Sequence, residues 1–214
     1  MPKTSMTPLP LISEARTSRR SLIAGAVATL GVASIGAPAH ALSASEAKSL
    51  ILTVTQEVQS IINSGKSEAA MIRDFEGIFR RYGDVPRIAA TLLGPPWRTA
   101  SAAEQTAYVN ALAGYLARKY GRQFREFVGA EITLTKTTDL GRKGVVVAST
   151  VTTDAFAPFP VEWHVIEAGG RQSFFDLIIE GVRLLSTERS EIRTILDQNR
   201  GSISALTTAL RKRG

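Results

Sequence analysis

The chain has 214 residues, of which 44% are hydrophobic and 21% are charged, which is the composition of an ordinary globular protein. It contains no cysteine, so we expect neither disulfide bonds nor the acylated cysteine of a lipoprotein. Its two histidines, His40 and His164, are too few for a zinc site built from histidine and cysteine, and we predict no metal and no cofactor.

The first 41 residues have the three parts of a bacterial export signal. Arg19-Arg20 precedes an uncharged run over residues 21–37, and Ala39-His40-Ala41 follows as a cleavage site. The paired arginines are typical of a twin-arginine signal. A retained membrane anchor is the alternative, but a spanning helix needs roughly 20 strongly apolar residues, and this run is rich in Ala, Gly, Ser and Thr. We therefore expect residues 1–41 to be removed and residues 42–214 to form one domain in the periplasm.

Removal of this segment changes the charge of the protein. Residues 1–41 hold four basic and one acidic side chain, so the formal net charge falls from +7 to +4. Export excludes nucleic acid as a partner. The remaining positive charge favours an anionic lipid surface or an acidic protein surface.

Helical periodicity dominates the first half of the expected mature chain. Ser43 with Glu46, and Ser101 with Glu104, have the spacing of capping boxes. Proline at positions 95 and 96 ends helical structure, because it lacks the amide hydrogen and disfavours helical backbone in the residue before it. The three- and four-residue spacing of apolar side chains predicts helices over residues 43–63, 71–82, 85–93 and 101–128.

The longest predicted helix has two different faces. Its apolar residues fall on one arc, whereas Arg118, Arg122 and Arg125 lie about half a turn away, with Lys119 beside them. An ordinary solvated surface would produce the same stripe. We nevertheless predict that these four side chains dock the protein on an acidic partner or an anionic membrane surface.

After Gly129 the apolar period changes to that of strands. Short turns between consecutive strands predict an α+β domain, in which a helical layer covers a curved four-stranded antiparallel sheet and encloses an apolar cavity. The strands are predicted over residues 131–137, 145–152, 161–166 and 172–179, and the last two helices over residues 187–196 and 203–210.

The last predicted strand is apolar on both sides. Phe174 and Ile178 are expected to point opposite to Phe175, Leu177 and Ile179. A sheet with water on one side does not need this pattern. Either both faces are covered, or one curved face lines an apolar cavity.

The sequence favours a protein that is not an enzyme. The common phosphate, dinucleotide, zinc-protease and hydrolase motifs are missing. His164 shares a strand face with Glu162, which permits an ion pair, and we interpret it as structural. Asp176 and Glu180 would lie about 13 Å apart on an extended strand, whereas the paired carboxylates of glycosidases lie about 5 to 10 Å apart. A catalytic alternative would need Asp176 or Glu180 to be buried with a raised pKa.

Two blocks of sequence follow the export signal in a fixed order. The first runs from Phe79 to Gly94, with Arg87-Ile-Ala-Ala-Thr-Leu-Leu-Gly94 at its end, and continues through Trp97-Arg-Thr-Ala-Ser101-x-x-Glu104-Gln105 and Tyr108 to Leu116 and Tyr120. The second holds Phe175-Asp-Leu-Ile-Ile-Glu180-Gly181-Val182, Arg189 and Leu206-x-x-x-Leu210. Together they resemble the MlaC family, also called the toluene-tolerance auxiliary family, of periplasmic phospholipid-binding proteins. The resemblance covers most of the expected mature chain and departs from the family pattern at Arg183, where a small residue such as Ser is expected.

The resemblance implies a soluble carrier that shuttles phospholipid between the inner and outer membranes. Its implied partners are an inner-membrane ABC transporter with an MCE-domain subunit and an outer-membrane lipoprotein complex, with transient proximity to membranes. A hopanoid-associated paralogue shares the general pattern, and an envelope interaction module that encloses no lipid is a further alternative. We predict that the cavity is lined by large apolar side chains in excess of a simple core: Leu92, Leu93, Trp97, Leu116, Tyr120, Phe124, Val147, Trp163, Phe175, Leu177 and Ile179.

We predict that export depends on Arg19-Arg20. Replacing both residues with lysine keeps the positive charge but removes the guanidinium pair, so the precursor should remain uncleaved after Ala41. Immunoblots of cell fractions measure the ratio of precursor to mature protein. Unchanged processing of the double variant, or a block caused by loss of the general secretory route alone, would show that the pair is an ordinary basic region.

Overall fold

Each of the first three helices begins where a side chain caps its first turn. The computed structural model describes residues 42–214, so the predicted export signal lies outside the described residues. Helices α1 (Ala44–Ile62), α2 (Glu68–Tyr82) and α3 (Val85–Leu93) confirm three predicted helices, although α2 begins three residues before the predicted residue 71. Ser43 and Glu46 form the capping box of α1, while Ser67 and Asp84 cap α2 and α3.

Helix α4 (Ala102–Gly121) is shorter than its sequence pattern predicts. Its capping box is present, but a tighter 3₁₀ helix follows (Arg122–Phe127), so the prediction of one helix to residue 128 is wrong. Gly121 lies directly against α2, because a Cβ atom at this position would be 2.9 Å from Cγ1 of Ile72. Glycine is also a poor helix former, which favours the end of the α-helix at this residue.

The sheet is antiparallel and its strands are neighbours in chain order, β1 to β5. The prediction of four strands is wrong. The fifth strand has only two residues and follows a two-residue turn in which Glu180 and Gly181 both have positive φ angles, of 50° and 80°. A strand of two residues is too short to show an alternation of apolar and polar side chains, so the sequence pattern does not predict it. The strands are Glu131–Asp139, Val145–Thr152, Phe159–Ala168, Arg171–Ile179 and Val182–Arg183.

A bulge in β4 changes which side chains share a face. Trp163 pairs with Leu177, but Val165 pairs with Phe174. Phe175 is therefore the extra residue of the bulge and has no paired residue in β3. Paired residues share a face, and Phe174 therefore lies on the same face as Leu177. The predicted alternation along this strand is wrong for Phe174.

Two further helices complete the chain, α5 (Leu184–Gln198) and α6 (Ile203–Lys212). The prediction that α5 begins at Thr187 is wrong, because it begins at Leu184. Helices α1, α2, α3 and α5 contact the sheet, whereas α4 contacts α2, α3 and α6. Within residues 42–214, no helix is both long and apolar enough to cross a membrane.

The junction between α2 and α3 is fastened to β4. Gly83 forms an isolated parallel bridge with Phe174, whose carbonyl oxygen accepts a hydrogen bond from the Asp84 amide (3.0 Å). The Arg171 guanidinium donates to the carbonyl oxygens of Arg81 (2.7 Å) and Gly83 (3.1 Å). Position 83 has no room for a side chain, since a Cβ atom would lie 2.7 Å from the carbonyl oxygen of Phe79 and 3.2 Å from the Phe174 ring.

Arg118 holds the end of the chain. Its guanidinium donates hydrogen bonds to the carbonyl oxygens of Leu210 (2.8 Å), Arg211 (3.4 Å) and Arg213 (2.9 Å) at the carboxyl end of α6. The last carbonyl groups of a helix lack partners within the helix and carry a partial negative charge. Arg118 satisfies them across the contact between α4 and α6.

We predict that Arg118→Ala lowers the free energy of unfolding of residues 42–214 by about 1–2 kcal/mol, because three carbonyl groups lose a charged donor. Urea unfolding followed by circular dichroism measures the change. Arg122→Ala is the control, since the Arg122 side chain is exposed and has no hydrogen bond or ion pair within the described chain, and the change should shift stability by less than about 0.5 kcal/mol. Equal stability of the two variants would contradict the structural role of Arg118.

Candidate functional site

A pocket of about 260 Å³ lies between the helices and the sheet. Helices α1 to α4 and the 3₁₀ helix supply residues on one side, strands β1 to β4 supply the other, and the first residues of α5 join them. Most of the side chains around it are apolar. The polar groups in its wall belong to Tyr120, Gln123, Asp176 and Glu188.

The sheet wall is made by side chains that pair across β3 and β4. Trp163 lies opposite Leu177, and Val161 lies opposite Ile179, so all four project to one face. The indole nitrogen of Trp163 donates to the Ser149 hydroxyl group at 3.1 Å. Because this buried donor is satisfied within the sheet, the Trp163 ring can line an apolar space without an unmet hydrogen bond.

The helical wall is built largely from aromatic rings. Phe75 of α2 meets Phe124 of the 3₁₀ helix edge to face, with ring centroids 4.8 Å apart. Phe79 lies 5.9 Å from Phe174, and Phe174 lies 6.1 Å from Trp163, so these rings connect the two walls. Aromatic contacts of this geometry add to the free energy of burial.

The structure brings eight of the eleven predicted cavity residues together around the pocket and leaves three outside it. Leu93 adjoins the lining residue Leu92 but points about 100° away from it around the helix. Trp97 lies in a 3₁₀ helix (Pro95–Arg98), and Val147 is completely buried in the core. The eight that line the pocket are Leu92, Leu116, Tyr120, Phe124, Trp163, Phe175, Leu177 and Ile179.

Residues of α1 and α2 also line the pocket, although their sequence pattern does not predict it. The apolar spacing on their inward faces is that of any amphipathic helix. No local sequence feature distinguishes a side chain that lines a pocket from one that is packed in a core. The lining residues of these two helices include Val54, Val58, Ile62, Phe75, Ile78 and Phe79.

A cluster of charged and polar groups adjoins the pocket wall. Oε1 of Glu188 accepts hydrogen bonds from the Tyr120 hydroxyl group (2.5 Å) and from Nζ of Lys119 (2.7 Å). Lys119 also donates to Oε2 of Glu191 (2.6 Å), which lowers the pKa of that carboxyl group. Burial raises the pKa of Tyr120, and its bond to Glu188 adds to the shift, so this hydroxyl group remains a donor at neutral pH.

Asp176 binds the start of α5 instead of serving as a free acid. Its Oδ1 accepts from the Leu185 amide (3.1 Å), and its Oδ2 accepts from the Arg183 guanidinium (2.8 Å). Burial raises the pKa of Asp176, while the bonds from Leu185 and Arg183 oppose the shift. Glu180 lies exposed in the turn after β4. The structure therefore does not bring the two carboxylates together as a catalytic pair.

His164 takes a structural contact that its sequence position does not indicate. Its Nε2 atom lies 2.6 Å from the carbonyl oxygen of Lys143, and the permitted ion pair with Glu162 does not form. The Phe175 ring lies 6.2 Å from its ring. Among residues 42–214, no group of three or more metal-ligating side chains could hold an ion.

The predicted basic stripe divides into two parts. Arg118 and Lys119 are held by the internal contacts described above. The side chains of Arg122 and Arg125 are exposed and have no hydrogen bond or ion pair in the described part of the chain.

Comparisons with known proteins agree with this architecture. A solved phospholipid-binding protein from Ralstonia solanacearum, in complex with a phospholipid, matches with a TM-score of 0.68 and 18% sequence identity. The match covers 78% of this chain and 96% of that chain, which shows a shared fold. The family model described as MlaC protein matches residues 52–212. The chain therefore belongs to the MlaC family, as the resemblance of its sequence indicates.

Proposed function

We propose that residues 42–214 form a soluble periplasmic carrier that holds the acyl chains of a phospholipid in the pocket between the helices and the sheet. The carrier would exchange lipid with an inner-membrane ABC transporter that has an MCE-domain subunit and with an outer-membrane lipoprotein complex. The observation that carries this proposal is the apolar pocket itself, whose wall includes side chains from both layers of the fold. The family membership and the phospholipid bound in the Ralstonia protein support it.

The energetics of transfer require such an enclosure. A diacyl lipid exposes about 30 methylene groups to water, and at about 0.8 kcal/mol each this costs on the order of 25 kcal/mol. A protein can offset that cost only by surrounding the chains with apolar atoms. The pocket of about 260 Å³ is slightly smaller than the roughly 300–1,000 Å³ of typical ligand sites. We therefore propose that its two walls separate further when lipid enters.

We predict that Val151→Trp removes bound lipid while the fold is retained. Val151 lines the pocket, so the indole ring should occupy space that lipid would fill. Val147→Trp is the matched control, because Val147 lies on the same face of β2 but is fully buried outside the pocket. There the larger side chain should overpack the core and cost about 1–3 kcal/mol.

Mass spectrometry of organic extracts measures the lipid that co-purifies with each variant, and thermal unfolding measures stability. The proposal requires phospholipid in the wild-type extract and its loss from the Val151→Trp extract at a nearly unchanged melting temperature. A hopanoid in the extract would assign the alternative ligand. Absence of any lipid from the wild-type protein would favour an interaction module and contradict the proposal.

The 3₁₀ helix offers a docking surface beside the pocket. Residues three apart eclipse each other in a 3₁₀ helix, so Arg122 and Arg125 share one row, while Phe124 and Phe127 share the row that lines the pocket. The Phe127 ring lies 5.9 Å from the ring of Phe156, which is 47% exposed. We propose that Arg122 and Arg125 contact an anionic membrane surface while lipid enters or leaves beside them.

We predict that reversing both charges, Arg122→Glu with Arg125→Glu, slows lipid transfer several-fold and removes most of its salt dependence. Exposed charges act mainly on association, and salt screens them beyond about 10 Å at 0.1 M. The measurement is transfer of a fluorescent phospholipid to vesicles that contain phosphatidylglycerol, across a salt series.

The control for this prediction is Arg142→Glu with Lys143→Glu, which changes the net charge equally. Arg142 and Lys143 are exposed in the turn between β1 and β2, at the other end of these strands from the pocket residues Ile132 and Val151. Equal transfer rates for the two double variants would show that Arg122 and Arg125 belong to an ordinary solvated surface and do not dock the protein on a membrane.

A further inference from the structure

Large apolar side chains are exposed on the surface where the pocket reaches solvent. Gln123 is exposed and lines the pocket, whereas the other lining residues are buried or half-buried, so the pocket reaches the surface beside the 3₁₀ helix. Val128, the residue after this helix, is 61% exposed, and Phe156, in the loop between β2 and β3, is 47% exposed. Apolar side chains that are exposed together mark a contact surface.

The loop that carries Phe156 has only apolar side chains at its tip. Residues 155–158 have the sequence Ala-Phe-Ala-Pro, and all four are exposed. We call these four residues, together with Val128, the apolar tip. Their side chains neither donate nor accept hydrogen bonds. The apolar tip is therefore better suited to a hydrocarbon environment than to water.

A row of three aromatic rings connects the apolar tip with the pocket. The Phe156 ring lies 5.9 Å from the Phe127 ring, which lies 6.3 Å from the Phe159 ring. Phe127 and Phe159 both line the pocket. Each methylene group that is exposed to water costs free energy, so an acyl chain that moves between a bilayer and the pocket needs apolar cover along its route. The three rings supply that cover on the protein side.

We propose that the apolar tip inserts into the interfacial region of a lipid bilayer, so that the pocket opening faces the acyl chains of the membrane. This inference rests on the proposed function and adds an apolar anchor to the charged contacts of Arg122 and Arg125. The size of the apolar tip favours a bilayer over a protein partner, because a specific protein interface takes about 20–30 residues on each side. A few inserted side chains give a reversible attachment, since the strength of membrane binding scales with the buried apolar area.

Exposed charges of both signs flank the apolar tip. The 3₁₀ helix carries Arg122, Arg125 and Glu126, while Asp154 precedes the tip of the loop and Glu131 begins β1. These groups can remain in the hydrated headgroup layer while the apolar side chains enter the bilayer. Because the attraction by the apolar tip is not electrostatic, it should persist on a zwitterionic membrane and at high salt. This property distinguishes it from the contribution of the two arginines.

The first test locates the apolar tip on a vesicle. The chain contains no cysteine, so a single introduced cysteine can carry an environment-sensitive fluorophore. Ala157→Cys labels the apolar tip and leaves Phe156 unchanged. Arg142→Cys is the matched control, since Arg142 is also exposed but lies in the turn between β1 and β2, at the other end of these strands.

The vesicles contain dioleoyl phosphatidylcholine, with or without brominated acyl chains that quench fluorescence on contact. The salt concentration is about 1 M, which screens exposed charges beyond about 3 Å. We expect the brominated chains to quench the fluorophore at position 157 several-fold and to leave the fluorophore at position 142 unchanged.

The second test is functional and compares Phe156→Asp with Leu140→Asp. Leu140 is 42% exposed and also lies between β1 and β2, so both variants replace an exposed apolar side chain with the same charge. We expect Phe156→Asp to slow transfer of a fluorescent phospholipid to phosphatidylcholine vesicles by about fivefold or more at low and at high salt, because a carboxylate does not enter the bilayer. Leu140→Asp should transfer at the wild-type rate, and both variants should retain co-purified lipid and the wild-type melting temperature.

Each other outcome contradicts a specific statement. Equal transfer rates for the two variants, or a fluorophore at position 157 that brominated chains do not quench, would overturn insertion of the apolar tip and leave the proposed carrier function intact. Loss of co-purified lipid from Phe156→Asp would also overturn it, because Phe156 would then help to hold the lipid instead of contacting the membrane. Absence of lipid from the wild-type protein would contradict the proposed function itself.

Discussion

The bond between Asp176 and the start of α5 determines how the sheet and the last third of the helical layer fit together. Arg183, the residue before α5, supplies no side-chain cap, and the buried carboxylate of Asp176 takes that role from β4 through the Leu185 amide. Arg183 then pairs with the same carboxylate. These contacts account for an arginine where the family resemblance predicts a small residue. They also fix the direction of α5, which carries Glu188 to the pocket wall one turn later.

The protein has a closely packed region between α4 and α6 and a region that surrounds a pocket between the inner helices and the sheet. Between α4 and α6, side chains such as Tyr108, Leu112, Leu206 and Leu210 are completely buried. Between the inner helices and the sheet, side chains of similar size surround open space. An unfilled apolar cavity lacks the contacts that a packed core provides, and so contributes less stability. The region between α4 and α6 therefore contributes more packing stability than the region around the pocket.

Features that depend on neighbours in the chain could be predicted from the sequence, whereas features that depend on contacts between distant segments could not. The capping boxes at Ser43 and Ser101 and the spacing of apolar residues placed the helices and the four long strands. The close contact of Gly121 at the end of α4 is made with Ile72 in another helix, and the start of α5 is bonded to a carboxylate in β4. Arg118 reads as part of a surface stripe because its acceptors lie more than 90 residues away. For the pocket, residue type identified several lining side chains, but lining and core positions on α1 have the same pattern.

The fastening of Gly83 to Phe174 restricts how the pocket can change shape. The α2–α3 junction and the first half of β4 share a backbone bridge, the Asp84 amide bond and two bonds from Arg171, so the two walls cannot separate there without breaking several hydrogen bonds at once. The opposite end, where Ile179 of β4 approaches the turn into β5, has no such link to α2 or α3 within the described chain. Separation of α2 and α3 from β4 is therefore most restricted near Gly83 and less restricted towards Ile179.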